Sequence, residues 1–230
     1  AAVVIPGVND GKELERTCTW LEERGAKGLI LMRFANRKDQ GLILGNAPII
    51  EGQRLQTVRE FQDMVCDLNS RYSLKISGTP MGDPTIGSPF AILDEPDLMD
   101  KLPRVRKKAS LISGGIAARY VQDVLDTCGN KSWVHGVKKE IACLITLEDL
   151  KELDCSQLET VVIIPGRAFV HERQAEEVLS ADGVKRTVIR GPETLTADAE
   201  TSMGMTRTQV LQMEMDGFAD LIRLINQYGV

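Results

Sequence analysis

Short apolar runs alternate with amphipathic helical patterns along most of this 230-residue chain, and that alternation confines it to the α/β class. Ala1-Ala2-Val3-Val4-Ile5 is apolar on both faces, as a strand inside a parallel sheet must be. Pro6 to Gly11 reads as a turn, with Asp10 placed to cap the following helix and Glu13 three residues on. Leu14, Cys18 and Leu21 recur at helical spacing, Gly25 ends that helix, and Gly28 to Phe34 reads as a second buried strand. Strand, helix, strand in this order implies a right-handed parallel crossover. Such sheets bind ligands at the carboxyl ends of their strands, here Pro6 to Asn9 and Arg33 to Asn36. A chain that opens in mid-sheet is expected to be a piece of a longer one.

Val58, Phe61, Val65 and Leu68 mark another amphipathic helix, and Tyr72, Leu74 and Ile76 alternate as a half-buried strand. The texture then changes: Pro80, Pro84, Pro89, Pro96 and Pro103, with Gly78, Gly82 and Gly87, bar any long regular element. Beyond them, strands are expected near Ala109 to Ile112, Trp133 to Val137, Thr160 to Ile164 and Arg186 to Ile189, separated by helical patterns. The last helix begins at Thr206 with Gln209 as a capping box. The expected division is therefore residues 1–76, a linker or covering loop over 77–104, and a second α/β domain over 105–230.

A net charge of -5 and the lack of any basic run argue against a nucleic-acid partner, because neutralising phosphates takes clustered Lys and Arg. A small molecule or a protein partner fits better. The five cysteines (18, 66, 128, 143 and 155) nowhere fall at the close spacing that chelates zinc or an iron–sulfur cluster, so buried thiols of a reducing cytosol are expected. No apolar stretch is long enough to cross a bilayer, so a soluble cytoplasmic protein is expected.

Several residues could carry chemistry, each with a plainer alternative. Ser113-Gly114-Gly115 follows a strand and could let a phosphate or nucleotide tail approach free amides at a helix start, or could simply be a tight turn. Pro165-Gly166-Arg167 also follows a strand, and Arg167 could clamp a carboxylate or phosphate. His135 and His171 lack partners at helical chelating spacing and read as structural or surface residues. Met203, Met205, Met213 and Met215 read as core filling rather than a cofactor surface. Cys143-Leu144-Ile145 reads as core or edge strand.

The run Val4 to Gly11, with Ile30-Leu31-Met32-Arg33-Phe34-Ala35-Asn36 after its helix, resembles the fifth and sixth strands of a radical S-adenosylmethionine barrel. The likeness continues through Gly41-Leu42-Ile43-Leu44, Gly78-Thr79-Pro80, Ile86 to Ile92, Leu102 to Val105, Cys143-Leu144-Ile145-Thr146, Ile164 to His171 and Gly204-Met205-Thr206. Over nearly its whole length the chain resembles the methanogenesis marker radical S-adenosylmethionine family, arginine C-methyltransferases that act on the alpha subunit of methyl-coenzyme M reductase. The resemblance implies the end of a partial barrel followed by a cobalamin-binding α/β domain. It also implies a 4Fe-4S cluster, whose cysteine motif precedes the barrel region represented here, S-adenosylmethionine as radical source and methylcobalamin as methyl donor. Leu144 matches the family's apolar residue beneath the corrin, flanked by Cys143 and Ile145. Gly114, Gly115 and Arg167 would meet corrin amides or the nucleotide tail, and Pro6, Gly7, Asn9 and Arg33 would face S-adenosylmethionine or substrate. The alternatives are a non-catalytic cobalamin- or nucleotide-binding module and a structural domain without a ligand.

Overall fold

The computed structural model describes residues 1–40, 49–129 and 131–230. The Gly41 to Leu44 run lies outside them. In chain order the elements are β1 (Ala2–Val4), α1 (Lys12–Glu23), β2 (Gly28–Arg33), α2 (Val58–Arg71), β3 (Lys75–Thr79), α3 (Pro96–Met99), β4 (Ser110–Gly114) and α4 (Ala117–Thr127). They continue with β5 (Trp133–Val137), α5 (Leu147–Lys151), β6 (Val161–Ile164), α6 (Glu172–Leu179), β7 (Thr187–Arg190), α7 (Ala199–Met203) and α8 (Arg207–Tyr228). The chain is α/β and divides into two compact units, each with its own parallel sheet.

The first unit holds, of the described residues, 1–40, 49–91 and Thr196–Gln212. Its sheet runs β1-β2-β3, all parallel, with Val3 beside Met32 and Met32 beside Thr79. Val4, Leu29, Leu31 and Ile76 point to one face and pack with Leu14 and Cys18 of α1 and Phe61, Val65 and Leu68 of α2. On the opposite face Val3 and Met32 are 44% and 43% exposed, so β1 is buried on one side only. The run of apolar residues does not distinguish these cases, because it records hydrophobicity and not which face has a partner.

Helix starts differ in how they are capped. Thr57 and Glu60 form a reciprocal capping box on α2. Asp10 does not cap α1: Gly11 holds the N-cap position without a side-chain bond, and Asp10 accepts from the Gly7 amide at 2.8 Å instead. The turn's own unpaired amide lies within reach of that carboxylate and claims it.

The Pro/Gly-rich segment falls on both sides of the division between the units. Residues to Ala91 belong to the first unit, and those from Ile92 to the second. Asp83 is fully buried, pairs with Lys75 Nζ at 2.8 Å and accepts from Thr85. Ser77 and Ser88 donate to the Ala199 and Ala197 carbonyls at 2.9 and 2.6 Å. Prolines exclude regular ladders there, and buried side chains bond the irregular backbone in their place. For the same reason Thr196–Gln212, expected in the later domain, packs in the first unit.

The second unit holds Ile92–Leu195 and Met213–Val230. Its sheet has the order β5-β4-β6-β7, again all parallel. The chain moves outward from β4 to β5, then returns past β4 to β6. That reversal makes the gap between β4 and β6 a topological switch point. Ile112, Val137, Val162, Ile164 and Val188 pack against Leu150, Ala175 and Leu179 on one face. Phe218, Leu221, Ile222 and Ile225 of α8 are buried, and Gly217 brings its backbone so close that a Cβ would lie 2.6 Å from the Thr194 carbonyl oxygen. Thr206 and Gln209 form the expected capping box at the start of α8.

Candidate functional site

Parallel strands send their carboxyl ends, and the loops that follow, to the same edge of a sheet. In the second unit those loops are tied to one another. The Gly115 amide donates to the Lys139 carbonyl at 2.8 Å, which carries the loop after β5 across the start of α4. A Cβ on Gly114 would lie 2.5 Å from the Glu140 carbonyl oxygen and 2.7 Å from the Ala142 nitrogen, and one on Gly115 would lie 2.9 Å from the Val137 oxygen. These glycines admit the protein's own backbone. Residues 137–142 fill the space beside their Cβ positions.

The same loop is fixed from within by charge. Lys139 is 6% exposed and its Nζ lies 3.3 Å from Asp149 Oδ2. That carboxylate also accepts from the Thr146 amide at 2.7 Å and its hydroxyl at 2.8 Å, the capping box of α5. Between Lys139 and Thr146 the chain makes a single 3-10 turn over Ala142–Leu144. Cys143 and Leu144 are half-buried there, whereas Ile145 is fully buried in the core with Leu150. Thus the turn is neither an edge strand nor wholly core. Leu144 keeps part of its side chain at the surface, and Ile145 has none to offer a ligand.

The loop after β6 is held by Arg190, at the end of β7. Its guanidinium donates to the carbonyls of Gly166 at 2.8 Å, Ala168 at 3.1 Å and Val170, and to Glu172 Oε1 at 2.6 Å. Alternate residues thus turn their carbonyls inward, with Ala168 and Val170 buried. Arg167 and Phe169 are exposed, Phe169 by 63%. The Phe169 amide donates to the Ile145 carbonyl at 2.9 Å, which joins this loop to the turn carrying Leu144. Glu172 has its carboxyl pKa held below the usual value by its own backbone amide and then by Arg190.

The candidates of the first unit are occupied by their own loops. Pro6 is buried, and its carbonyl accepts from Gln53 Nε2 at 2.5 Å. Gly7 is exposed with a φ of 74°, a backbone state that suits glycine. Asn9 accepts from the Ile5 amide at 2.7 Å and donates to the Val3 carbonyl at 2.9 Å, closing the end of β1. Arg33 is 8% exposed and donates to the Gln56 carbonyl at 2.7 Å, with burial and nearby Arg37 lowering its pKa. Asn9 and Arg33 therefore shape the strand ends.

His135 on β5 is half-buried, and burial lowers its pKa. His171 is exposed and caps α6, accepting from the Arg173 amide at 3.3 Å. All five cysteines are free thiols, and among the described residues no three His, Cys, Asp or Glu side chains are grouped to hold a metal ion. Among the described residues no helix is long and apolar enough to span a membrane.

No family model and no curated protein matches this chain. Its functional reading therefore rests on the local motifs and on the geometry of the second sheet's carboxyl edge. Along that edge Leu144 is half-buried, and Arg167 and Phe169 are exposed. Sequence spacing gave no signal for Arg190, Lys139 or Asp149, since a salt bridge between loops leaves no periodic pattern.

Proposed function

We propose that this chain is the C-terminal portion of a cobalamin-dependent radical S-adenosylmethionine methyltransferase that C-methylates an arginine of the methyl-coenzyme M reductase alpha subunit. The observation that carries the reading is Leu144: an apolar, half-exposed side chain on the loop after β5, at the carboxyl edge of a doubly wound parallel sheet. Leucine packs and has no lone pair, so Leu144 would hold the cofactor by apolar contact and would offer its metal no ligand. When bound, cobalamin supplies the methyl group, while S-adenosylmethionine and the cluster supply the radical.

What the chain's own residues contribute is placement and exclusion of water. The Lys139–Asp149 pair fixes the turn beneath the proposed corrin face. Gly114 and Gly115 let the β5 loop seal the start of α4. In the first unit, Asn9 and Arg33 set the form of the strand ends that would border S-adenosylmethionine. The test is to join this chain to upstream sequence bearing a three-cysteine motif, reconstitute it anaerobically, and look by mass spectrometry for methylation of the reductase arginine. Methyl transfer that requires cobalamin supports the reading; a reconstituted, radical-generating protein that transfers no methyl group to the reductase overturns it.

A further inference from the structure

Residues 50–56 are fastened to the carboxyl edge of the first sheet by bonds that run from side chains to backbone. Asn36, just past β2, accepts from the Ile50 amide at 2.7 Å and donates to the carbonyls of Ile50 at 3.0 Å and Gln53 at 2.7 Å. Gln53 Nε2 reaches the Pro6 carbonyl, beyond β1, at 2.5 Å, and Arg33 at the end of β2 donates to the Gln56 carbonyl at 2.7 Å. Little apolar burial accompanies these bonds. From residue 49 to 57 only Gln56 is buried, while Ile49 and Ile50 are 53% and 43% exposed. A segment that buries so little apolar surface belongs to the low-stability end of a fold. Gln56 weakens its placement further. At 6% exposure its side-chain Oε1 has no hydrogen-bond partner among the described residues, and its Nε2 lies 4.0 Å from the Met64 sulfur. A buried acceptor left unbonded costs its full hydration, which it recovers when the segment lifts. Beneath the segment lies Arg33, 8% exposed, with its guanidinium on the segment's own backbone.

We propose that residues 50–56 are a strap that closes the carboxyl ends of β1 and β2 and opens as a unit, with Asn36 as its latch and the Gln56 carboxamide as the group that favours opening. In the closed form Arg33 is held by the Gln56 carbonyl, and in the open form it faces solvent. The device works the same whichever ligand that edge receives, and it stands apart from the cobalamin reading of the second unit.

The test is native-state hydrogen exchange on the full chain, beside phenylglyoxal labelling of Arg33 read by mass spectrometry. The Ile50 and Gln53 amides should exchange together, at a rate that low urea leaves unchanged, and well before the Val65 amide inside α2. Asn36→Ala removes three bonds and should speed both that exchange and the Arg33 labelling by roughly tenfold or more. Gln53→Ala should act in the same direction. Gln56→Met keeps a side chain of similar length without the unbonded acceptor, and should slow both by roughly threefold. Val65 exchange at the parent's rate shows that a variant keeps its fold. Ile50 exchanging only together with Val65 overturns the strap, as do Asn36→Ala and Gln53→Ala proteins that exchange and label like the parent. A Gln56→Met protein that opens faster overturns the part given to its carboxamide.

Discussion

Arg190 Nε donates to Glu172 Oε1 at 2.6 Å, linking the end of β7 to the first residue of α6. The same guanidinium takes three carbonyls of the intervening loop, so one side chain sets the form of the whole β6–α6 connection. Arg190→Gln removes most of these bonds and should cost roughly 2–3 kcal/mol, the scale of losing a charged donor to partly buried acceptors. Urea unfolding gives the value. Amide exchange at Phe169 should quicken in the same variant, because its bond to Ile145 depends on the loop's shape.

The Lys139–Asp149 pair makes an asymmetric prediction. Asp149→Asn leaves a 6%-exposed lysine without its counter-charge, and should cost about 3–5 kcal/mol. Lys139→Met should cost far less, because Asp149 keeps the Thr146 amide and hydroxyl as donors. Equal losses in chemical denaturation would show that the pair acts only through packing.

Gly114→Ala separates a structural from a ligand role. The added methyl would meet the Glu140 carbonyl oxygen at 2.5 Å, so stability should fall by roughly 1–3 kcal/mol without any ligand present. Gly204, with nothing within 4 Å of its Cβ position, provides the control and should tolerate alanine. A Gly114→Ala protein of unchanged stability but weakened cobalamin binding would show the glycine to be a ligand contact.

The repeating elements were legible because periodicity reports them. Phe61, Val65 and Leu68 announced α2, and the Thr206–Gln209 box announced α8. Parallel pairing followed from apolar strands joined through helices. The pattern did not reveal Asp10 being taken by the Gly7 amide, nor Ile145 being core while Leu144 next to it is half-exposed. Adjacent residues of a 3-10 turn differ in burial according to which loop lies over them, and that is a tertiary fact. The same holds for Asp83, whose full burial and pairing with Lys75 no sequence period records.

His135 sets an acid limit on stability. Burial lowers its pKa from the ordinary 6.5, so the unfolded chain binds the proton more readily than the folded one. Stability from this residue is full above about pH 6.5 and falls as pH drops below it, by proton linkage. His135→Gln should flatten that part of the profile in thermal melts from pH 7 to 5. A parent and a variant with parallel profiles would contradict the assignment.

The central claim is that Leu144 lies beneath a corrin, and one substitution tests it directly. Leu144→His should be tolerated: the side chain is only half-buried, so its removal costs less than the roughly 2–5 kcal/mol of a core leucine. The measurement is electron paramagnetic resonance of cob(II)alamin bound to the chain before and after the change. The account predicts no protein nitrogen on cobalt in the parent and a new nitrogen splitting in Leu144→His. A folded Leu144→His protein whose bound cob(II)alamin gives the parent's spectrum, or a parent that binds no cobalamin, would contradict it.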